Sequence, residues 1–162
     1  MPDDGGPTSG AGLSGEVSLE ALHWTDALGA DPDSWAARVL AAVSAETGAN
    51  GEVAILLTDD AEQAALNREW RGKAGSTNVL SFPAAPNPFD HLGDVSLAFG
   101  TCAREAAEQD KTLSDHASHL LAHGVLHLLG HDHETDAEAV VMEACERAIL
   151  SRIGIGDPYR DE

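Results

Sequence analysis

The sequence predicts a single α+β domain, α/β-like in its chain order, with a mixed sheet of about four strands flanked by helices. Three observations lead there. A chain of 162 residues suits one hydrophobic core. An apolar content of 43% is ordinary for a globular chain. Short apolar or alternating runs interleave with longer stretches of helical periodicity. No run approaches the roughly 18 apolar residues of a membrane span, so no membrane partner is expected.

The elements follow in order. Residues 1–15 are rich in Gly, Pro, Asp and Ser and read as a disordered tail. The domain then occupies 16–155, and 156–162 form a C-terminal tail. Residues 16–24 alternate loosely and suggest a strand. Asp31-Pro32-Asp33-Ser34 offers N-cap chemistry, and the spacing of Trp35, Val39, Leu40 and Val43 gives a helix to about Glu46. After the turn at 47–51, the continuous run Val53–Leu57 reads as a buried strand. Thr58-Asp59-Asp60 caps a helix with Ala64, Ala65, Leu66 and Trp70 on its inner side. A loop at 71–75 leads to a strand over 77–82, which Pro83 stops. A Pro-containing loop covers 84–91 and a further strand 94–99. Helices are expected over about 101–109, 113–129 and 134–152. The last has Ala139, Val140, Met142, Ala144, Ile149 and Leu150 as core candidates.

Nine basic against 28 acidic residues give a net charge of −19. A field of that sign repels nucleic acid at long range. Either the partner is not a polyanion, or the acidity is an adaptation to high salt, which screens repulsion to a few Å. Only Lys73 and Lys111 are lysines, which fits the second reading. Arg68, Arg71 and Lys73 form the one basic cluster, read either as a local positive patch or as a helix C-terminus complementing its dipole. The cysteines, Cys102 and Cys145, are far apart and outside any CxxC, as expected of reduced thiols in a cytoplasmic protein. Met1-Pro-Asp-Asp-Gly-Gly lacks the pattern of a secretory signal.

Six of eight histidines fall between 116 and 133. His123 and His127 are four apart, so on a helix they share one face and can close on one metal ion. His119 shares that face. On a helix, however, it stands roughly 12 Å from His127 at ~1.5 Å per residue, too far for one ion to serve both. Gly130 permits the chain to turn. The third nitrogen therefore comes from His131 or His133. The spacing His-x3-His-x5-His, with glycine three after the second histidine, is that of the metzincin signature, and it selects His123, His127 and His133 on a zincin-like metal helix. His131 and Asp132 become candidates to support the ligand rings or face a substrate. Three protein ligands leave a fourth position open, the arrangement of a catalytic zinc site, although three imidazoles also suit nickel, copper or iron. The protease pattern breaks at one position. Where a metzincin has its general-base glutamate, this chain has Gly124. That disfavours peptide hydrolysis. A phosphodiester fits better, because a metal and an arginine can share its charge.

The run His123-Gly-Val-Leu-His-Leu-Leu-Gly-His-Asp-His133 closely resembles the signature of the YbeY family of bacterial endoribonucleases. Arg71-Gly-Lys, Ser76-Thr-Asn-Val-Leu-Ser-Phe-Pro83 and Leu92-Gly-Asp-Val95 resemble further family segments in the family's order. The resemblance spans about residues 16–155. It implies one zinc ion per chain on His123, His127 and His133, and cleavage of single-stranded RNA. It implies a role in maturing the 3′ end of small-subunit rRNA and in ribosome quality control. Its important arginine corresponds to Arg71, which would hold phosphate. Lys73, Ser76, Thr77 and Asn78 are then substrate-binding candidates on the cleft wall. The implied partners are rRNA and the small subunit, a ribosomal protein and a ribosome-assembly GTPase. Two rival readings are a zinc peptidase with an unconventional base and a non-catalytic assembly factor whose acidic surface meets basic ribosomal proteins.

Overall fold

A computed structural model describes residues 12–159. Most of the expected N-terminal tail, and residues 160–162, lie outside the described residues. Strands and helices alternate as β1 (Leu13–Leu19), α1 (His23–Leu28), α2 (Pro32–Thr47), β2 (Gly51–Thr58), α3 (Asp60–Arg71), β3 (Val79–Pro83), β4 (His91–Ala98), α4 (Phe99–Glu108), α5 (Leu113–Leu128) and α6 (Asp136–Arg152). The sheet has four strands in the order β1-β2-β4-β3. β1, β2 and β4 run parallel, and β3 is antiparallel on the edge beside β4. This is the mixed sheet of an α+β domain. Among the described residues, no helix is long and apolar enough to cross a membrane.

Alternation along the strands decides which helices cover which face. Val53, Ile55 and Leu57 of β2, with Val95 and Leu97 of β4, point to one side and are buried. Val17, Ile55 and Val95 line up across that face. α2 and α5 cover it with Val39, Leu40, Val43, Leu121 and Val125, each worth about 1.5–3 kcal/mol of burial. α5 is the central helix, with apolar neighbours on nearly every side. Its start is fixed by Thr112, whose hydroxyl accepts the Asp115 N–H. Asp31 caps α2 in the same way with Pro32 in the first turn, and Thr135 and Glu138 form a capping box on α6.

Several expectations need correction. The first strand begins at Leu13, so residues 13–15 belong to the sheet rather than to a tail, and it ends at Leu19. Residues 23–28 form a helix instead, because Trp24 is fully buried and its Nε1 donates to the Thr58 carbonyl at 2.9 Å. α3 turns a polar side inward. Gln63 and Asn67 are buried, whereas Trp70 is 67% exposed. The sheet face under α3 carries Ser96, and Gln63 bonds the Ser96 hydroxyl and the carbonyls of Ser96 and Thr77. On α6, Val140 and Ala144 are exposed, while Met142, Glu146, Ile149 and Leu150 face the core. Nor are residues 156–159 a free tail. Arg147 holds the Asp157 carboxylate at 3.0 and 3.1 Å, and Tyr159 reaches back to Glu146.

Candidate metal centre

His123 and His127 lie one turn apart on α5, with His133 on the loop that follows. That loop is built by a Schellman turn. Gly130 takes φ of +100°, its N–H donates to His127 O at 3.0 Å, and the His131 N–H returns to Leu126 O at 3.0 Å. A residue with a Cβ would resist this left-handed conformation. The Asp132 carboxylate then accepts the His133 N–H at 2.7 Å, which sets the direction of the third ring.

The result is a three-imidazole cluster whose ligand atoms all lie within 4.8 Å of one another. His123 Nε2 and His127 Nε2 are 3.1 Å apart. Two nitrogens on one tetrahedral zinc at ~2.0–2.1 Å stand about 3.3 Å apart, so the geometry fits the ion. His119 is not in this group. Burial, and then the neighbouring His123 and His133, push the pKa of His127 below its ordinary value, which favours the neutral ring that can ligate.

The carboxylate that supports a ligand ring is Glu146 of α6. It is fully buried, and its Oε2 lies 2.5 Å from His123 Nδ1. Burial alone would raise its pKa. The hydrogen bonds from His119, His123 and Tyr159 outweigh that and hold it down to about 2. An ionised Glu146 can only accept, so His123 Nδ1 carries the proton and Nε2 keeps its lone pair for the metal. Of the two roles expected for His131 and Asp132, supporting the ligand rings or facing a substrate, the structure places both residues on the cleft wall. Asp132 orders the loop backbone, and His131 faces His127 with its main chain. Glu146 and Tyr159 were missed from the sequence. The available signal was an acid at an i+4 position between Met142 and Leu150 on the buried side of α6.

A cleft of about 580 Å³ opens in front of the histidines. Arg71, the last residue of α3, lines it with His123, His127, His131, Asp132 and His133. So do Val79, Ser81 and Pro83 of β3, together with Glu134. Lys73, Ser76, Thr77 and Asn78 do not line it. Lys73 and Ser76 are exposed beyond Arg71, and the Thr77 carbonyl is taken by Gln63. The Asn78 amide donates to Glu105 at 2.9 Å, and Glu105 in turn meets His116 of α5 at 2.8 Å. Asn78 thus braces α5 through Glu105 rather than the cleft wall. Ser81 was missed as a wall residue, but its hydroxyl donates to the Gly124 carbonyl at 3.0 Å.

Gly124 faces the sheet, not the cleft. A Cβ there would come 2.8 Å from Val95 Cγ1, 3.1 Å from Ser81 Oγ and 3.3 Å from Val79 Cγ2. A glutamate at this position has no room and would not point at the metal. The two thiols are also outside the site. Among the described residues both cysteines are free, and burial pushes the Cys102 pKa up to about 12.

A family model described as endoribonuclease YbeY matches residues 24–154. A protein of Maricaulis maris named endoribonuclease YbeY is 55% identical over 112 residues, covering 69% of this chain and 70% of that one. Another of that name, from Paramagnetospirillum magneticum, is 50% identical over 160 residues, covering 90% of this chain and 95% of its own. Among solved structures, the solution structure of TM1509 from Thermotoga maritima superposes with a TM-score of 0.56 at 20% identity. It covers 87% of this chain and 91% of that one, a likeness of fold. With the family model spanning most of the domain and relatives half identical to it, the chain belongs to the endoribonuclease YbeY family.

Proposed function

We propose that this chain is a zinc-dependent endoribonuclease of single-stranded RNA that acts in maturing the 3′ end of small-subunit rRNA and in ribosome quality control. One observation carries the reading. Arg71 shares a cleft with three metal-competent histidines, and the position of a peptidase's glutamate is a glycine packed on the sheet. The curated relatives' name agrees with it. A zinc ion in such a site supplies Lewis acidity and a more acidic water. The guanidinium of Arg71 presents paired N–H donors that suit two phosphate oxygens. The Ser81 hydroxyl is committed to Gly124, so the β3 wall shapes the cleft. Asp132 and Glu134 line the same cleft and repel phosphate, which makes Arg71 the group that offsets them. The proposed partners are the small ribosomal subunit, a basic ribosomal protein and a ribosome-assembly GTPase, in the cytoplasm. The net charge of −19 favours a second, compatible reading, in which the acidic surface docks on basic protein.

The test is cleavage of a single-stranded RNA by purified protein, with and without chelator, beside His123→Ala and Arg71→Ala. Chelator and His123→Ala should abolish cleavage, and Arg71→Ala should slow it about 10²-fold or more. Equal cleavage in all four samples would identify a contaminant and remove the reading. No cleavage by the zinc-loaded wild type would leave only the docking role.

A further inference from the structure

The geometry points to Glu146 as the positioning residue of the metal centre and to Tyr159 as the group that seats it. This rests on the metal reading of the three histidines and not on the identity of the substrate.

A buried carboxylate is costly unless every lone pair that loses water gains a donor. Glu146 is completely buried, and among the described residues three groups meet its carboxylate. His123 Nδ1 meets Oε2 at 2.5 Å. His119 Nε2 meets Oε1 at 3.1 Å, and the Tyr159 hydroxyl donates to the same oxygen. His119 is one turn before His123 on α5, so it places a second ring on the face of the metal ligands without joining them. Its Nδ1 is buried with no hydrogen-bond partner among the described residues. The chain leaves that ring nitrogen unpaired while the other one serves Glu146.

Tyr159 comes from beyond the end of α6. Contacts with Asp157, Arg147 and His119 hold it there. Arg147 grips Asp157, whose carboxylate accepts the Tyr159 N–H at 2.8 Å. The Arg147 guanidinium lies 5.5 Å from the Tyr159 ring centre. The ring also meets His119 edge-on at 5.6 Å. The consequence runs inward. Tyr159 and His119 fix Oε1, which aims Oε2 at His123 Nδ1. That bond fixes the His123 tautomer and turns Nε2 toward His127. Among the described residues no carboxylate is hydrogen-bonded to His127 in this way, and His133 is exposed. The ligands differ in their support: His123 is held by a buried carboxylate and His127 by the His131 main chain.

A purely structural Glu146 would fill the core without governing metal affinity, so the test reads affinity and tautomer directly. Glu146→Gln keeps the shape but replaces one acceptor by a donor, leaving three donors for one oxygen. Tyr159→Phe removes only a hydroxyl, so the fold survives. Zinc affinity is measured by competition with a chromophoric chelator. Ring-nitrogen NMR of the metal-free wild type reads the His123 tautomer. We expect the Nδ1–H form of His123 in the wild type, zinc affinity lowered about 10–100-fold in Glu146→Gln, and a smaller loss in Tyr159→Phe. Wild-type affinity in both variants would overturn the proposal. If Glu146→Gln fails to fold, wild-type affinity in Tyr159→Phe, or an Nε2–H tautomer of His123 in the wild type, would overturn it alone. A wild type that binds no zinc would instead refute the metal centre itself and take the proposal with it.

Discussion

Gly124 shows how one residue can be read correctly for one property and incompletely for another. In the sequence it is the position where a peptidase base is missing. In the structure an added methyl group would clash with Val95 and crowd Ser81 and Val79. Gly124→Ala should therefore destabilise the protein. The helix gains up to about 1 kcal/mol from alanine, but overpacking against a branched buried side chain costs about 1–3 kcal/mol. A net loss of roughly 1 kcal/mol in denaturant unfolding is expected, and a variant more stable than the parent would show that helix and sheet have room. His116 supplies a second test. Burial lowers its pKa from 6.5, against the upward pull of Glu105, with His119 and Lys111 adding to the fall. The unfolded chain then takes up a proton near its ordinary value while the folded ring resists. The unfolded state binds more protons there, so stability is present above about pH 6.5 and is lost as pH falls below it. In His116→Gln, the loss of stability between pH 7 and 5 should shrink. The ligand histidines were legible because their spacing is local. Glu146 was not, because what marks it is a bond to a residue 23 positions away.

Among the elements, those with a cap in the sequence were read well. Asp31 and Asp59 announce the starts of α2 and α3 by side-chain chemistry that needs no tertiary partner. α1 was missed because it is six residues long and is held by the Trp24 indole on Thr58. α3 was assigned the wrong inner side because apolar periodicity presumes an apolar surface beneath, and here that surface includes Ser96 and open carbonyls. The contrast is measurable. Gln63→Ala strands the hydroxyl of Ser96 and two carbonyls, and should cost about 2–4 kcal/mol. Trp70→Ala, at a side chain 67% exposed, should stay within about 1 kcal/mol. Thermal or denaturant unfolding of the two variants decides it. A larger loss at Trp70 would return α3 to the orientation that periodicity suggests.

At the scale of the molecule, the architecture was legible in outline because strands and helices differ in period and length. The folded-back residues 157–159 were not, since nothing local distinguishes them from a polar tail. The candidate metal centre draws on several layers at once. α5 gives two ligands, the loop from α5 to α6 gives the third, α6 gives Glu146, and β3 with the end of α3 gives the wall. An ion held at such a junction acts as a rivet. Its binding energy would add to the folding equilibrium of the domain that assembles the site. Zinc at about one hundred times its dissociation constant should then add about 2.7 kcal/mol to unfolding of the whole domain. Chelator should lower the melting temperature without introducing a second transition. Metal content would thus serve as a gauge of whether the layers are assembled.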